Sequence, residues 1–140
     1  MTASLILHAT TVAFEGRAVL ITGASGSGKS SLALQLMAIG AALVADDQTA
    51  LTLHGAEVIA TCPPAIAGMI EARGVGLLNA PHLAQATVAL VVDLDRTETA
   101  RLPDHRQITI LRQRLSLVLG SNSAHFPSSL RHYVLYGRCG

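Results

Sequence analysis

The sequence predicts an α/β fold: a mixed β-sheet with few helices, containing a phosphate-binding loop (P-loop). Three observations support this prediction. A glycine-rich segment lies between an apolar strand-like run and an amphipathic helix-like run. Strand-like segments outnumber helical ones, which favours a mixed sheet over a regular strand–helix alternation. The chain is 50% hydrophobic but only 3% aromatic, so we expect an aliphatic core.

In the first half of the chain, strand-like runs surround one helical segment. Leu32, Leu36 and Ile39 recur at helical spacing, and Gly40 is a natural residue to end that helix. In order, the predicted elements are a hairpin of strands at 5–14 and 18–22 with a turn at 15–17, a helix from Lys29, a buried strand at 41–45, and a hairpin of strands at 49–53 and 58–61.

The second half is predicted with fewer signals. Its clearest element is the apolar run at 87–94, typical of a buried strand, which a polar stretch at 96–106 follows. The remaining predicted elements are strands at 75–78, 108–111 and 115–119, and a helix at 128–136 with Ser128 as its N-cap.

The length of 140 residues is typical of one domain, covering residues 1–140. The net charge of +1 gives no basic surface for nucleic acid. No apolar run reaches the ~18 residues of a membrane span, and the N-terminus lacks the basic start of a signal peptide. Two widely spaced cysteines fit a reducing compartment. We therefore expect a cytoplasmic protein that binds neither nucleic acid nor membrane.

The segment GASGSGKS, residues 23–30, matches the pattern GxxxxGK[ST] at every fixed position. Glycines let backbone amides turn inward around phosphates, and the following helix directs its positive end at them. Lys29 is expected to reach the β- and γ-phosphates, and the Ser30 hydroxyl to bind Mg²⁺. A glycine-rich turn with a surface lysine would not explain the flanking strand and helix. The predicted phosphate-binding residues are Gly23, Ala24, Ser25, Gly26, Ser27, Gly28, Lys29, Ser30 and Ser31.

A second acidic group at a strand end usually completes the metal shell of a P-loop enzyme. The pair Asp46-Asp47 and the single Asp93 both follow apolar runs, and the residues alone allow either. Adjacent carboxylates leaving a strand point in different directions, so one could hold a metal while the other accepts a hydroxyl proton. The alternative is that both are solvated turn residues; the nearby loop favours a function.

Three further candidate residues lie outside these segments. Glu71 and Arg73 are two residues apart before Gly74, so on an extended segment they share a face. A carboxylate for metal and a guanidinium for phosphate would suit phosphoryl transfer, while a surface ion pair is the alternative. His8 follows an apolar strand, where a histidine is more often structural; it gains a role only if the fold brings it beside Asp46.

Together these segments resemble the catalytic C-terminal domain of the HPr kinase/phosphorylase family, in its short α-proteobacterial form. Members of the family often have a separate N-terminal domain, and the resemblance implies that this form has none. The resemblance rests on His8, GASGSGKS, LVADD and IEARGVGLLN in that order, over about residues 7–79. It implies a P-loop fold similar to phosphoenolpyruvate carboxykinase. It also implies a Mg²⁺-dependent serine kinase acting on an HPr-like carrier of a phosphotransferase system that regulates carbohydrate metabolism, with phosphorolysis as the reverse direction. The family assembles as a hexamer, so a homo-oligomer is expected.

The resemblance also implies the residue roles. Asp46 would be the general base for the target serine, with His8 beside it, and Asp47 would help to hold the metal. ATP, inorganic phosphate or pyrophosphate would be substrates and Mg²⁺ the cofactor. The implied catalytic residues are Asp46, His8 and Lys29, the implied metal ligands are Ser30, Asp47 and Glu71, and Arg73 joins the phosphate-binding set.

Two other classes of function stay open. The chain could be a nucleotide- or phosphate-binding regulator with little catalysis, which tight ATP binding without turnover would distinguish. It could also be a small-molecule kinase, but the short chain leaves no obvious lid or acceptor domain.

Overall fold

A mixed nine-stranded sheet dominates the computed structural model, which describes residues 3–140. The predicted sheet-dominated α/β fold with few helices is confirmed, since these residues form two α-helices. The strands are β1 Ser4–Leu7, β2 Ala9–Phe14, β3 Arg17–Thr22, β4 Ala42–Ala45, β5 Thr49–His54, β6 Glu57–Thr61, β7 Met69–Ala72, β8 Gly76–Asn79, β9 Gln85–Thr97, β10 Arg106–Ile110 and β11 Gln113–Gly120. The helices are α1 Lys29–Ala38 and α2 Phe126–Tyr136, with a short 3-10 turn at Pro64–Ile66.

The strand order brings several chain segments to one edge of the sheet. The order is β1-β5-β6-β9-β3-β2-β4, with β11 beside β9, β10 beside β11, and β7–β8 as a separate hairpin. Because β3, β9 and β11 are parallel, their carboxyl ends share this edge. The antiparallel β2 begins there and β4 ends there. The start of β2 and the end of β4 therefore flank the loop that follows β3.

The core is aliphatic, as predicted, and encloses β3 on both faces. Val19 and Ile21 pack in one cluster with residues of α1 and α2. Ala18 and Leu20 belong to a second cluster that includes residues of β5, β6 and β11. All four side chains are fully buried. The strand that carries the P-loop is thus held from both sides.

Helix α1 ends as its sequence predicts. Gly40 has φ 113°, in the region that favours glycine. Its N–H donates to the Met37 carbonyl, and the Ala41 N–H donates to the Leu36 carbonyl. These paired bonds are those of a Schellman motif.

Some predicted elements differ from the structure. The single strand predicted at 5–14 is broken at His8, because β1 pairs with β5 while β2 pairs with β3 and β4. The strand predicted at 87–94 is longer, since β9 gains pairing with β6 at one end and β11 at the other. Strand β7 was not predicted; it forms a hairpin with β8.

The predicted N-cap Ser128 is wrong. Helix α2 begins at Phe126, and His125 occupies the N-cap position without a side-chain capping bond. Pro127 lies in the first turn, where a missing N–H costs no helical hydrogen bond. Within residues 3–140, neither helix is long and apolar enough to cross a membrane.

Buried threonines tie the turn after β4 to β2. The Thr49 hydroxyl donates to the Ala9 carbonyl at 2.9 Å. A hydroxyl has one hydrogen, so the Thr11 hydroxyl must be the donor in its 2.9 Å bond to Thr49 Oγ1. Both threonines are fully buried. Thr10 points to the other side and bonds Asp46 and the Asp47 N–H. The position of Asp46-Asp47 therefore depends on β2.

We expect Thr49→Val to lower the free energy of unfolding by about 1–3 kcal/mol, because it leaves the buried Thr11 hydroxyl without an acceptor. Thr11→Val is the matched control and should cost less, since Thr49 keeps its bond to Ala9. Equilibrium urea denaturation measures both. Equal costs, or a larger cost for Thr11→Val, would contradict this hydrogen-bond direction.

Candidate active site

Beside the P-loop lies a cleft of about 370 Å³. All of its lining residues belong to the predicted site, so the structure brings together segments that are distant in sequence. They are His8, Ser25, Gly26, Gly28, Lys29, Ser30, Ser31, Asp47, Glu71 and Arg73. The other predicted residues, Gly23, Ala24, Ser27 and Asp46, lie behind this surface or next to it.

The P-loop joins the end of β3 to the start of α1. Gly23, Gly26 and Gly28 have φ values of 148°, 83° and 101°, which only glycine adopts readily. The Lys29 ammonium folds back over the loop and donates to the Gly23 and Ala24 carbonyls at 2.9 and 3.1 Å. Lys29 is 6% exposed. The loop is thus preshaped by its own lysine.

Close packing around Gly23, as well as its backbone conformation, leaves no room for a side chain at this position. A Cβ at this position would lie 2.5 Å from Ser27 Oγ and 3.3 Å from the Leu94 Cβ. The Ser27 hydroxyl oxygen is buried and has no hydrogen-bond partner among residues 3–140. The first residue of the motif therefore packs tightly against both the loop and β9.

The Asp46 carboxylate is buried and accepts hydrogen bonds at both oxygens. Oδ1 accepts from the Thr10 hydroxyl at 2.9 Å and the Ser30 hydroxyl at 2.7 Å. Oδ2 accepts from the Glu71 N–H at 2.9 Å. Asp46 is 7% exposed. It joins β2, α1 and β7, and it bonds directly to Ser30, the serine expected to bind Mg²⁺.

Asp47 lies in the open cleft. Its side chain is 67% exposed and its Oδ1 is 3.2 Å from His8 Nδ1. The other ring nitrogen of His8, Nε2, is 3.3 Å from the Lys29 ammonium. Lysine only donates, so Nε2 accepts and the hydrogen on Nδ1 is donated to Asp47. A chain of contacts therefore runs from Lys29 through His8 to Asp47.

The expected neighbour of His8 is corrected by this geometry. His8 contacts Asp47 and not Asp46, because Asp46 turns inward to Thr10 and Ser30. Asp46, the expected proton acceptor, is buried, whereas Asp47, the expected metal ligand, is exposed. The residue expected to take a proton from a protein substrate is the enclosed one.

Asp93, the other candidate carboxylate, is used locally. It accepts from the Asp95 N–H at 2.9 Å and from Arg96 Nε at 3.0 Å, and it makes no hydrogen bond to Ser30. Asp95 instead contacts the P-loop, accepting from the Ala24 N–H at 2.9 Å. Sequence reasoning missed Asp95 and Thr10, since no motif marked either residue. The acidic alternation Asp93-Leu94-Asp95 was the one available signal for Asp95.

Glu71 and Arg73 lie on the hairpin β7–β8 at the rim of the cleft. Both side chains are exposed, and no ion pair joins them in the part of the chain that the structure describes. The alternative reading of this segment as a surface ion pair is therefore not supported.

The oxygens available beside the loop fit Mg²⁺. Ser30 Oγ and Asp46 Oδ1 are hard donors 2.7 Å apart. No group of three His, Cys, Asp or Glu side chains could hold a metal within residues 3–140. Mg²⁺ keeps several waters and takes substrate phosphate oxygens as ligands, so it needs only one or two protein oxygens. Burial, and then the Asp46 charge, raise the pKa of the Cys62 thiol.

Comparison with known proteins points to one family. The family model of the HPr serine kinase C-terminal domain matches residues 1–114. The HPr kinase/phosphorylase of Aromatoleum aromaticum is 36% identical over 137 aligned residues, covering 84% of this chain and 44% of that protein. The one from Alkaliphilus metalliredigens is 35% identical over 120, covering 75% and 39%. The chain thus spans less than half the length of these curated relatives.

A solved structure extends the match beyond residue 114. The Hpr(Ser) kinase/phosphatase from Coxiella burnetii superposes with a TM-score of 0.78 at 25% identity. The match covers 93% of this chain and 88% of that one. The predicted sheet-dominated α/β fold with few helices is confirmed by this likeness.

We expect Gly23→Ala to weaken the binding of inorganic pyrophosphate at least ~10-fold, because the new Cβ would displace Ser27 and distort the loop. Gly26→Ala is the matched control: it also has a positive φ, but nothing lies within 4 Å of the added atom. Its loss of affinity should be smaller. Isothermal titration measures both. Equal losses would show that backbone conformation alone, and not this close packing, explains Gly23.

Proposed function

This chain belongs to the family of HPr serine kinase C-terminal domains, and we propose that it is an ATP- and Mg²⁺-dependent kinase for a serine of an HPr-like phosphocarrier protein. The observation that carries the proposal is the cleft beside the P-loop, which Asp47 lines in the open while its buried neighbour Asp46 bonds the loop residue Ser30. Phosphorolysis, in which inorganic phosphate takes the phosphoryl group from phosphoserine and leaves serine and pyrophosphate, is the reverse of transfer from pyrophosphate. A regulator without catalysis would not require this arrangement.

We assign the two aspartates opposite roles to those that the resemblance implied. Asp47 takes the proton of the target serine, and Asp46 serves the metal side with Ser30. Asp46 has both oxygens engaged and is 7% exposed, so a serine of a protein substrate cannot readily approach it. Asp47 is open to the cleft. Glu71 lines the same cleft and is a further proposed metal-side carboxylate.

The proposed reaction forms a bond between the serine oxygen and the γ-phosphorus and breaks the bond to ADP. Asp47 accepts the hydroxyl proton, while the His8 Nδ1–H holds that carboxylate in place. Lys29 stabilises charge on the transferred group, the loop amides hold the neighbouring phosphates, and Arg73 adds a positive charge at the rim. Mg²⁺, held by Ser30 and Asp46, would neutralise charge on the β- and γ-phosphates.

The partners follow from the same proposal. The names of the relatives support HPr, or a carrier like it, as the protein substrate. We also propose, from the resemblance alone, that this carrier belongs to a phosphotransferase system acting in the control of carbohydrate metabolism. We further propose that residues 1–140 act as one catalytic domain, in the cytoplasm, within a homo-oligomer. Size-exclusion chromatography with light scattering measures the oligomeric state.

We expect Asp47→Asn to lower kcat for transfer at least ~10²-fold with ATP affinity nearly unchanged, because it removes the proton acceptor. Asp46→Asn should instead weaken Mg²⁺-dependent ATP binding. It replaces one carboxylate oxygen by an NH₂ group, which would face either the Ser30 hydroxyl or the Glu71 N–H, and it removes the negative charge that favours Mg²⁺. Asp93→Asn, which alters only the exposed contacts with Arg96 and Asp95, is the matched control and should resemble the unmodified protein. Phosphoserine on the cognate carrier is measured by mass spectrometry.

Two results would count against this account. Loss of transfer in Asp46→Asn with intact ATP binding, together with normal turnover in Asp47→Asn, would restore the implied roles. Absence of phosphoserine when the unmodified protein is supplied with ATP, Mg²⁺ and the carrier would overturn the kinase proposal.

A further inference from the structure

A second cleft, of about 360 Å³, lies on the other side of the P-loop. Its walls are the first turns of α1, the ends of β9 and β11, the segment at 120–124 and the start of α2. Gly28 and Ser31 line both clefts, so the two meet at the phosphate loop. A ligand bound at the loop could therefore extend into either one.

The parallel strands fix this second cleft against the loop. β3, β9 and β11 end at the same sheet edge. A Cβ at Gly23 would be 3.3 Å from the Leu94 Cβ, and one at Gly120 would be 3.4 Å from the Leu94 Cδ2. Leu94 thus packs between the first residue of the loop and the last residue of β11. The cleft is a built continuation of the phosphate site.

The two clefts differ in chemistry. The first is lined by His8, Lys29, Asp47, Glu71 and Arg73, side chains that suit phosphate, metal and proton transfer. The second has no charged side chain among its lining residues. It combines apolar surface with hydroxyl and amide groups. A neutral pocket of this volume with a few polar groups is typical of small-molecule sites.

Two residues give the second cleft the features that a nucleobase needs. Phe126 offers a partly buried aromatic ring for stacking. The exposed Asn122 amide makes no hydrogen bond to any other described residue, so its donors and acceptor remain available for a base edge. Both residues lie after residue 114, where the match to the family model ends.

The order in which a P-loop binds the phosphates of a nucleotide indicates which of the two clefts takes the nucleoside. The lysine reaches the β- and γ-phosphates, while the loop amides hold the α- and β-phosphates. The γ-phosphate of a bound nucleotide would therefore lie toward Lys29, His8 and Asp47. Its nucleoside would extend to the opposite side of the loop. We propose that the second cleft binds the nucleoside of the phosphate donor, with residues 120–127 as its recognition segment. This inference rests on the proposed function, because it requires a nucleoside triphosphate at the loop.

The test compares ATP with inorganic tripolyphosphate, which lacks the nucleoside. Titration calorimetry of the unmodified protein should give at least ~10-fold tighter binding of ATP. Asn122→Ala combined with Phe126→Leu should reduce that ratio at least about threefold and leave tripolyphosphate binding unchanged. Asn79→Ala changes the other asparagine of the chain, in β8, and is the matched control. Circular dichroism checks that each variant is folded.

A labelling experiment on the unmodified protein gives a readout that needs no variant. After irradiation with 8-azido-ATP, peptide mapping should locate the adduct within residues 120–127. An adduct on the β7–β8 hairpin would overturn the proposal. Equal affinities for ATP and tripolyphosphate would also overturn it, and so would a ratio that the double variant leaves unchanged. Each of these results is compatible with phosphorylation of the carrier, so the kinase proposal would stand.

The kinase proposal fails in a different way. If ATP binds with the expected ratio and labels residues 120–127 but the carrier gains no phosphoserine, the nucleoside site stands and the kinase proposal falls. If neither ATP nor tripolyphosphate binds, both proposals are overturned.

Discussion

The site depends on the hydrogen bonds that the buried Asp46 carboxylate accepts. Burial of a carboxylate is costly unless donors replace its lost water. Here the donors are the Thr10 hydroxyl on β2, the Ser30 hydroxyl on α1 and the Glu71 N–H on β7. Since each donor belongs to a different element, meeting this requirement fixes the P-loop serine and the hairpin relative to the sheet. The cleft is the space left between the segments that Asp46 holds together.

This constraint also explains how two neighbouring carboxylates acquire different chemistry. Asp46 turns inward and is saturated with donors, while Asp47 adopts φ 69° and lies in the cleft beside His8. His8 in turn contacts the P-loop lysine. The acceptor side of the site and its phosphate side are therefore linked by direct contacts. On the far side of the loop, Leu94 and the segment after β11 provide the uncharged surface that we assign to the nucleoside.

The parts that could be predicted from sequence are those set by local chemistry. The conformation of residues 23–30 could be predicted, because the motif needs glycines at positions of positive φ. Gly40 could be predicted to end α1 for the same reason. The sheet class followed from the abundance of short apolar runs. Long-range pairing decided the rest. The break at His8 depends on β1 pairing with β5, the enclosure of Asp46 depends on Thr10 across the sheet, and the contact of Asp95 with Ala24 depends on the parallel register of β9. No local pattern carries that information, so the sequence left the two aspartates without a secure division of roles.

The most direct test of the central role of Asp46 is amide hydrogen exchange at Glu71, measured by NMR in two matched variants. The Glu71 N–H donates to the Asp46 carboxylate. Asp46→Ala should therefore lower its protection at least ~10-fold, because this substitution removes the acceptor that anchors the hairpin, while Asp47→Ala should leave it unchanged. Unchanged protection in Asp46→Ala, or an equal loss in both variants, would contradict the account.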